Sequence, residues 1–114
     1  MTAQPPSHED ERRRRRQAGR TAADAALGTP GVAYLSPGPG SRLTAALHPG
    51  SVPGVRVTAD SGTERRMEIS IATRAGTRAA TTARAVRHNV ERALRQCHPA
   101  PASYRIEIVV TAIV

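Results

Sequence analysis

Met67-Glu68-Ile69-Ser70-Ile71-Ala72-Thr73 alternates apolar and polar residues, and Gly76 ends the pattern. A long segment, residues 77–97, follows and is stopped by His98-Pro99-Ala100-Pro101; a second alternating run, residues 104–114, closes the chain. Period two predicts strands, because successive side chains of a strand face opposite ways. Met67, Ile69 and Ile71 share one face, as do Tyr104, Ile106, Ile108, Val110 and Ala112. Glu68, Ser70, Arg105, Glu107 and Thr111 take the other. Between the strands, Ala79, Ala83, Val86, Val90, Leu94 and Cys97 recur at three and four residues, one stripe of a helix. Arg84, Arg87, His88, Glu91, Arg92 and Arg95 fall on its opposite side. Thr77 is placed to cap a helix over 77–97, and Pro99 cannot extend it. Such a helix is about 30 Å long, enough to cover a small sheet.

Upstream, residues 21–27 are Ala-rich and predict a short helix, stopped by Gly28-Thr29-Pro30-Gly31. Residues 32–35 form a short strand candidate, ended by Ser36-Pro37-Gly38-Pro39-Gly40. Residues 42–53 stay open between a turn of helix (Leu43, Ala46, Leu47) and a loop (Pro49, Gly50, Pro53). Val55-Arg56-Val57-Thr58-Ala59 alternates, and the turn residues Asp60-Ser61-Gly62-Thr63 predict an antiparallel hairpin with 67–73. The order helix, strand, strand, strand, helix, strand gives an α+β class. A mixed or antiparallel sheet of three to four strands carries the 77–97 helix and a short N-terminal helix on one face. Val109 and Ile113 point away from the predicted helix side, which suggests a subunit contact.

A chain of 114 residues allows one domain, assigned here to residues 21–114. Residues 1–20 hold Arg12, Arg13, Arg14, Arg15 and Arg16 in a row, a charge run that buries nothing and predicts a disordered tail. The tail reads first as a solubilising segment and second as an electrostatic arm for nucleic acid or anionic lipid. The apolar fraction is 39%, with Tyr34 and Tyr104 the only aromatics, so the core is small and its stability marginal or shared with another subunit. The net charge is +8 and all of the basic residues are arginine, a bias that a GC-rich genome would also produce. The charge favours acidic partners. Cys97 is the single cysteine, which excludes an intrachain disulfide framework. Neither a signal peptide nor a membrane-spanning run is visible, so the expected location is cytoplasmic, with the inner membrane face open to it.

The search for chemistry yields little. His8, His48, His88 and His98 form no ligand set, and adjacent Cys97-His98 has poor geometry for one metal, so neither metal nor cofactor is expected. Cys97 continues the apolar stripe and reads as a small core residue rather than a nucleophile. Glu68 and Glu107 lie on outward strand faces, where Arg66 and Arg105 are ordinary partners. Gly28-Thr29-Pro30-Gly31 fits the glycine signature of KH modules only in letters: it joins a helix to a strand, and Pro30 has no N–H to offer a phosphate. Tyr104 sits with Ile106 and Ile108, so no aromatic platform for single strands forms. What survives is electrostatic: Arg84, Arg87, Arg92 and Arg95, read first as a solvated helix side and second as a docking face for phosphates or lipid headgroups. No enzyme and no small-molecule substrate is expected.

Several stretches together carry a resemblance. They are Gly31-Val32 after an Ala-rich helix, Val55-Arg56-Val57, Met67-Glu68-Ile69-Ser70-Ile71 with Gly76, Val86-Arg87-His88-Asn89-Val90-Glu91-Arg92-Ala93-Leu94, and Ile106-Glu107-Ile108-Val109-Val110-Thr111-Ala112-Ile113. Residues 20–114 are similar in these to the alkaline shock protein family, also called the envelope stress response family, of Gram-positive bacteria. The resemblance implies a non-enzymatic, self-associating cytoplasmic protein of cell-envelope homeostasis, held at the membrane in some cases by a membrane-anchored partner. It carries over no catalytic residue; Gly31, Val32, Gly76, Val86, Asn89, Val90 and Leu94 match as structural positions. The chain departs from the family in three ways. The five arginines at 12–16 stand where the family has an upstream strand and the first part of its N-terminal helix. The 42–54 linker is Pro/Gly-rich, and the surface is strongly basic. The alternative expectation is a nucleic-acid-binding protein that uses residues 12–16 as an arm and the arginine side of the 77–97 helix as a docking face.

Overall fold

The computed structural model describes residues 8–36, 52–61, 64–98 and 103–114. Six elements follow in chain order: α1 (His8–Leu27), β1 (Val32–Leu35), β2 (Val55–Ser61), β3 (Glu64–Thr73), α2 (Ala79–Cys97) and β4 (Ser103–Ile113). The α+β class and the helices on one sheet face stand as predicted. The ambiguous segment 42–53 falls outside the described residues up to residue 51.

β3 is the central strand of a mixed sheet. On one side its first part pairs antiparallel with β2, from Ser61↔Glu64 to Val55↔Ile69, and its last part with β1, from Leu35↔Ile71 to Val32↔Thr73. Ser70 joins the two: its N–H donates to Gly54 O at 2.9 Å, and its own carbonyl accepts from Ser36 N–H at 2.9 Å. On the other side β4 runs parallel along the whole of β3, from Glu64↔Ser103 to Thr73↔Ile113. A parallel neighbour requires a crossover, and α2 is that crossover.

The burial follows the predicted periods. Met67, Ile69 and Ile71 are fully buried and share one core cluster with Val86, Val90 and Leu94 of α2, which packs against β4. Each such aliphatic side chain contributes about 1.5–3 kcal/mol on burial. α1 contributes Ala18, Ala22, Ala23 and Ala26, small side chains that let the helix lie close to the sheet. Gly19 continues that close approach, since a Cβ there would stand 3.2 Å from Val52 Cγ2.

Four expectations need correction. The disordered tail over 1–20 does not hold for residues 8–20, which form the first part of α1. Arginine is a good helix former, and a helix turns consecutive side chains about 100° apart, so five in a row do not share a face. Glu9, Asp10 and Glu11 in the first turn favour the positive helix end, and Asp10 and Glu11 hold Arg13 at 3.1 Å and Arg15 at 3.6 Å. Second, Thr77 does not cap α2: its hydroxyl donates to Arg74 O at 2.6 Å, closing the turn at Gly76, and the helix starts at Ala79. Third, Cys97 is exposed, because the stripe it continues has run out at the helix's last residue. Fourth, Ile113 does not share a face with Val109. A register shift carries the pairing from Val110 to Ala112, and the extra residue puts Ile113 opposite Thr73, in phase with Ile69 and Ile71.

Three glycines, Gly31, Gly54 and Gly76, take the left-handed conformation, and two of them make a direct comparison. Gly31 (φ +95) brings α1 onto β1, and a Cβ there would meet Thr82 Oγ1 of α2 at 2.7 Å. Gly76 (φ +89) has the same left-handed conformation but open space around it. Gly31→Ala is therefore expected to destabilise the fold by about 2–3 kcal/mol and Gly76→Ala by about 1 kcal/mol, the difference being the clash with Thr82. Urea unfolding of both variants checks this; equal losses would show that contact to be relieved without cost.

Candidate functional site

The two helices run antiparallel, fixed by two polar contacts across their seam. Thr21 Oγ1 and His98 Nε2 lie 2.9 Å apart, and Asn89 Nδ2 donates to Thr29 Oγ1 at 3.0 Å. Thr29 is nearly fully buried just after α1, and its hydroxyl also donates to Ala25 O at 2.9 Å. The Gly28-Thr29-Pro30-Gly31 stretch thus ends a helix and locks it to its neighbour.

This seam places the predicted arginines. Arg12, Arg13, Arg14 and Arg16 are exposed on α1, and Arg84, Arg87, Arg92 and Arg95 are exposed on α2. Arg15 is partly buried, its Nε 3.6 Å from Glu11. Because Thr21 lies beside His98, residues 12–16 stand about 8–14 Å beyond the end of α2 along the α1 axis. The nine residues therefore spread over the whole helical layer instead of gathering in one cluster. Arg20, also exposed, belongs with them and escaped the sequence reading. Its spacing from Arg12 and Arg16 by fours would have found it had the segment been read as a helix.

The charge distribution is one-sided. α1 carries six arginines against Glu9, Asp10, Glu11 and Asp24, and α2 carries four against Glu91, so the helices together hold +5 of the net +8. On the sheet face away from the helices, Arg56, Arg66 and Arg105 are balanced by Glu64, Glu68 and Glu107. Ion pairs lie among these strand charges, Arg56–Glu68 at 3.8 Å and Arg66–Glu107 at 3.7 Å. Glu68 thus takes Arg56 rather than either arginine expected for it. One side of the molecule is a cationic layer of helices; the other is a charge-balanced sheet surface with exposed Tyr34 and Val109.

One ion pair ties the arginine-rich end of α1 to the sheet. Arg65 Nη2 of β3 donates to Glu11 Oε1 at 2.6 Å, with both side chains mostly buried. That hydrogen bond holds the Glu11 carboxyl below its ordinary pKa, against the opposing effect of burial and with help from the Arg65, Arg15 and Arg14 charges. Nearby, burial pushes the half-buried Tyr104 hydroxyl up. Among the described residues no group of three or more His, Cys, Asp and Glu side chains could hold a metal ion. No described helix is long and apolar enough to cross a membrane. In comparisons with models of protein families, with curated proteins and with solved structures, the chain matches none.

Because the Glu11 carboxyl is lowered on folding, its contribution to stability is full above its ordinary value and is lost as pH falls through the lowered one. Glu11→Gln is expected to cost roughly 1 kcal/mol at pH 7, a difference that shrinks as the pH falls below about 4. Thermal unfolding of both proteins across pH checks it, and a difference that stays constant into acid would contradict the assignment.

Proposed function

We propose that this chain is a non-enzymatic, self-associating interaction module of the envelope stress response type, which works in the cytoplasm against the inner face of the cell envelope. The observation that supports it is the division of the molecule into a cationic helical layer and a charge-balanced sheet. A layer carrying five net positive charges, with Arg84, Arg87, Arg92 and Arg95 exposed on one helix and Arg12, Arg13, Arg14, Arg16 and Arg20 on the other, suits an extended anionic surface. The cytoplasmic leaflet is such a surface, attracting each nearby arginine with about 1 kcal/mol. A membrane-anchored partner with an acidic cytoplasmic segment would present the same chemistry. The resemblance to the alkaline shock protein family supplies the cellular setting, and the sheet side is left for contacts between copies.

A second reading rests on the same arginines. Residues 12–16 project past the end of α2, the position of an arm that reaches along a nucleic-acid backbone, with the α2 arginines as the docking face. Phosphate contacts of that kind make affinity fall steeply with salt.

Co-sedimentation of the full chain with vesicles separates the two. Retention on vesicles with anionic lipid, little on neutral ones, and a loss of about tenfold or more when Arg84, Arg87, Arg92 and Arg95 are all changed to Gln is the expected result. Failure to bind anionic vesicles at low salt, together with tight and salt-sensitive retention on duplex DNA or RNA, would replace the first reading by the second.

A further inference from the structure

β4 pairs with β3 along one side only, and among the described elements nothing pairs with its other side. The strand Ser-Tyr-Arg-Ile-Glu-Ile-Val-Val-Thr-Ala-Ile is eleven residues long, with no proline and with Arg105 and Glu107 as its charged residues. Its backbone groups stay in ladder register with β3 up to Val110. Free edges of this length are usually covered, bent away or guarded by proline or by charges that repel a second strand, since they template pairing; Arg105 and Glu107 repel or attract according to register.

We infer that a second copy of this chain occupies that edge, β4 against β4, antiparallel about a two-fold axis at Ile106. The inference rests on the self-association proposed above and states where it occurs. In an antiparallel pair, directly opposite residues share a face, and like charges set opposite each other are destabilising. With the axis at Ile106, Arg105 of each copy stands opposite Glu107 of the other, so two ion pairs form at once. With the axis one residue away, at Arg105 or Glu107, the same charge meets itself. With the axis farther along, at Ile108 or Val109, the pairing runs past Val110, where the register shift reverses which face a residue takes. The Ile106 register uses only residues 103–109, all before that shift, and sets Tyr104 opposite Ile108 and Ser103 opposite Val109.

The side chains are in the state such a contact requires. Arg105 is exposed and has no ion pair among the described residues. Glu107 is partly exposed and lies 3.7 Å from Arg66, which leaves its carboxylate room for a second cation. Val109 is 40% exposed on the same face as these charges. The contact is isologous, as a two-fold demands, since each copy gives the same strand. Because opposite residues share a face, both helical layers end on one side of the joined sheet. The dimer thus presents twice the cationic surface in one plane, and the two copies bind an anionic surface as a linked pair.

The test is sedimentation equilibrium of the full chain at about 0.1 M salt, a condition that leaves close ion pairs partly screened but effective. The wild-type chain dimerises. Arg105→Glu and Glu107→Arg each weaken the dimer by about tenfold or more, and the double variant R105E/E107R restores it to within about threefold. Circular dichroism confirms that each variant keeps its helices. A wild-type chain that is monomeric at every concentration overturns both this contact and the self-association it rests on. A dimer indifferent to R105E, or one that the double exchange fails to restore, overturns the β4 contact alone and leaves self-association standing.

Discussion

The packing of the two helices over the sheet centred on β3, with α2 against β4 and α1, is the constraint from which the rest of the molecule follows. Met67, Ile69 and Ile71 are fully buried in the one strand that has neighbours on both sides, and Val86, Val90 and Leu94 share one core cluster with them. The chain has no phenylalanine or tryptophan to build a thicker core, so these aliphatic contacts carry much of the apolar burial. α1 then joins on alanines, which bury little area each but allow a close approach, and it gains specificity from the Thr21–His98 and Asn89–Thr29 contacts along the helix seam. A core of this kind is small, and a loss of about 2–3 kcal/mol at Gly31 or roughly 1 kcal/mol at Glu11 is a large part of what holds it.

The same packing decides where the charge goes. With Thr82, Val86, Val90 and Leu94 turned to the sheet, helical geometry sends Arg84, Arg92 and Arg95 to the outer surface, and α1 adds its own arginines alongside. The strands keep their charges paired between neighbours, Arg56 with Glu68 and Arg66 with Glu107. A molecule built this way has one strongly cationic side and one sheet side with balanced charge and a free edge. The proposed contacts with an anionic surface and with a second copy rest on these two features.

Much of this was readable from residue spacing, and each failure has an identifiable physical cause. Period two in residues 67–73 and 104–114, with a stripe of period 3.6 between them, gave the two longest strands and the helix that crosses between them. What spacing cannot supply is contact between distant residues. Residues 12–16 look like a solvated tail because their neighbours in sequence offer Arg15 and its companions no core. The feature that anchors the helix is Arg65, 54 residues beyond Glu11. Cys97 fits the stripe by number, but the stripe ends with the helix. Ile113 fits the strand alternation by number, but one extra residue after Val110 reverses it. Eight of the nine candidate arginines are exposed, and the antiparallel seam, which spacing could not show, sets residues 12–16 beyond the end of α2.

The claim on which the functional account turns is that the helical layer, and not the sheet, meets the anionic partner. Amide NMR of the full chain titrated with nanodiscs containing anionic lipid tests it most directly. The account predicts shifts and line broadening over residues 12–20 and 84–95, with Arg56, Arg66, Glu68 and Glu107 on the sheet side unmoved. Perturbation centred on the sheet residues, with the helices untouched, would contradict it.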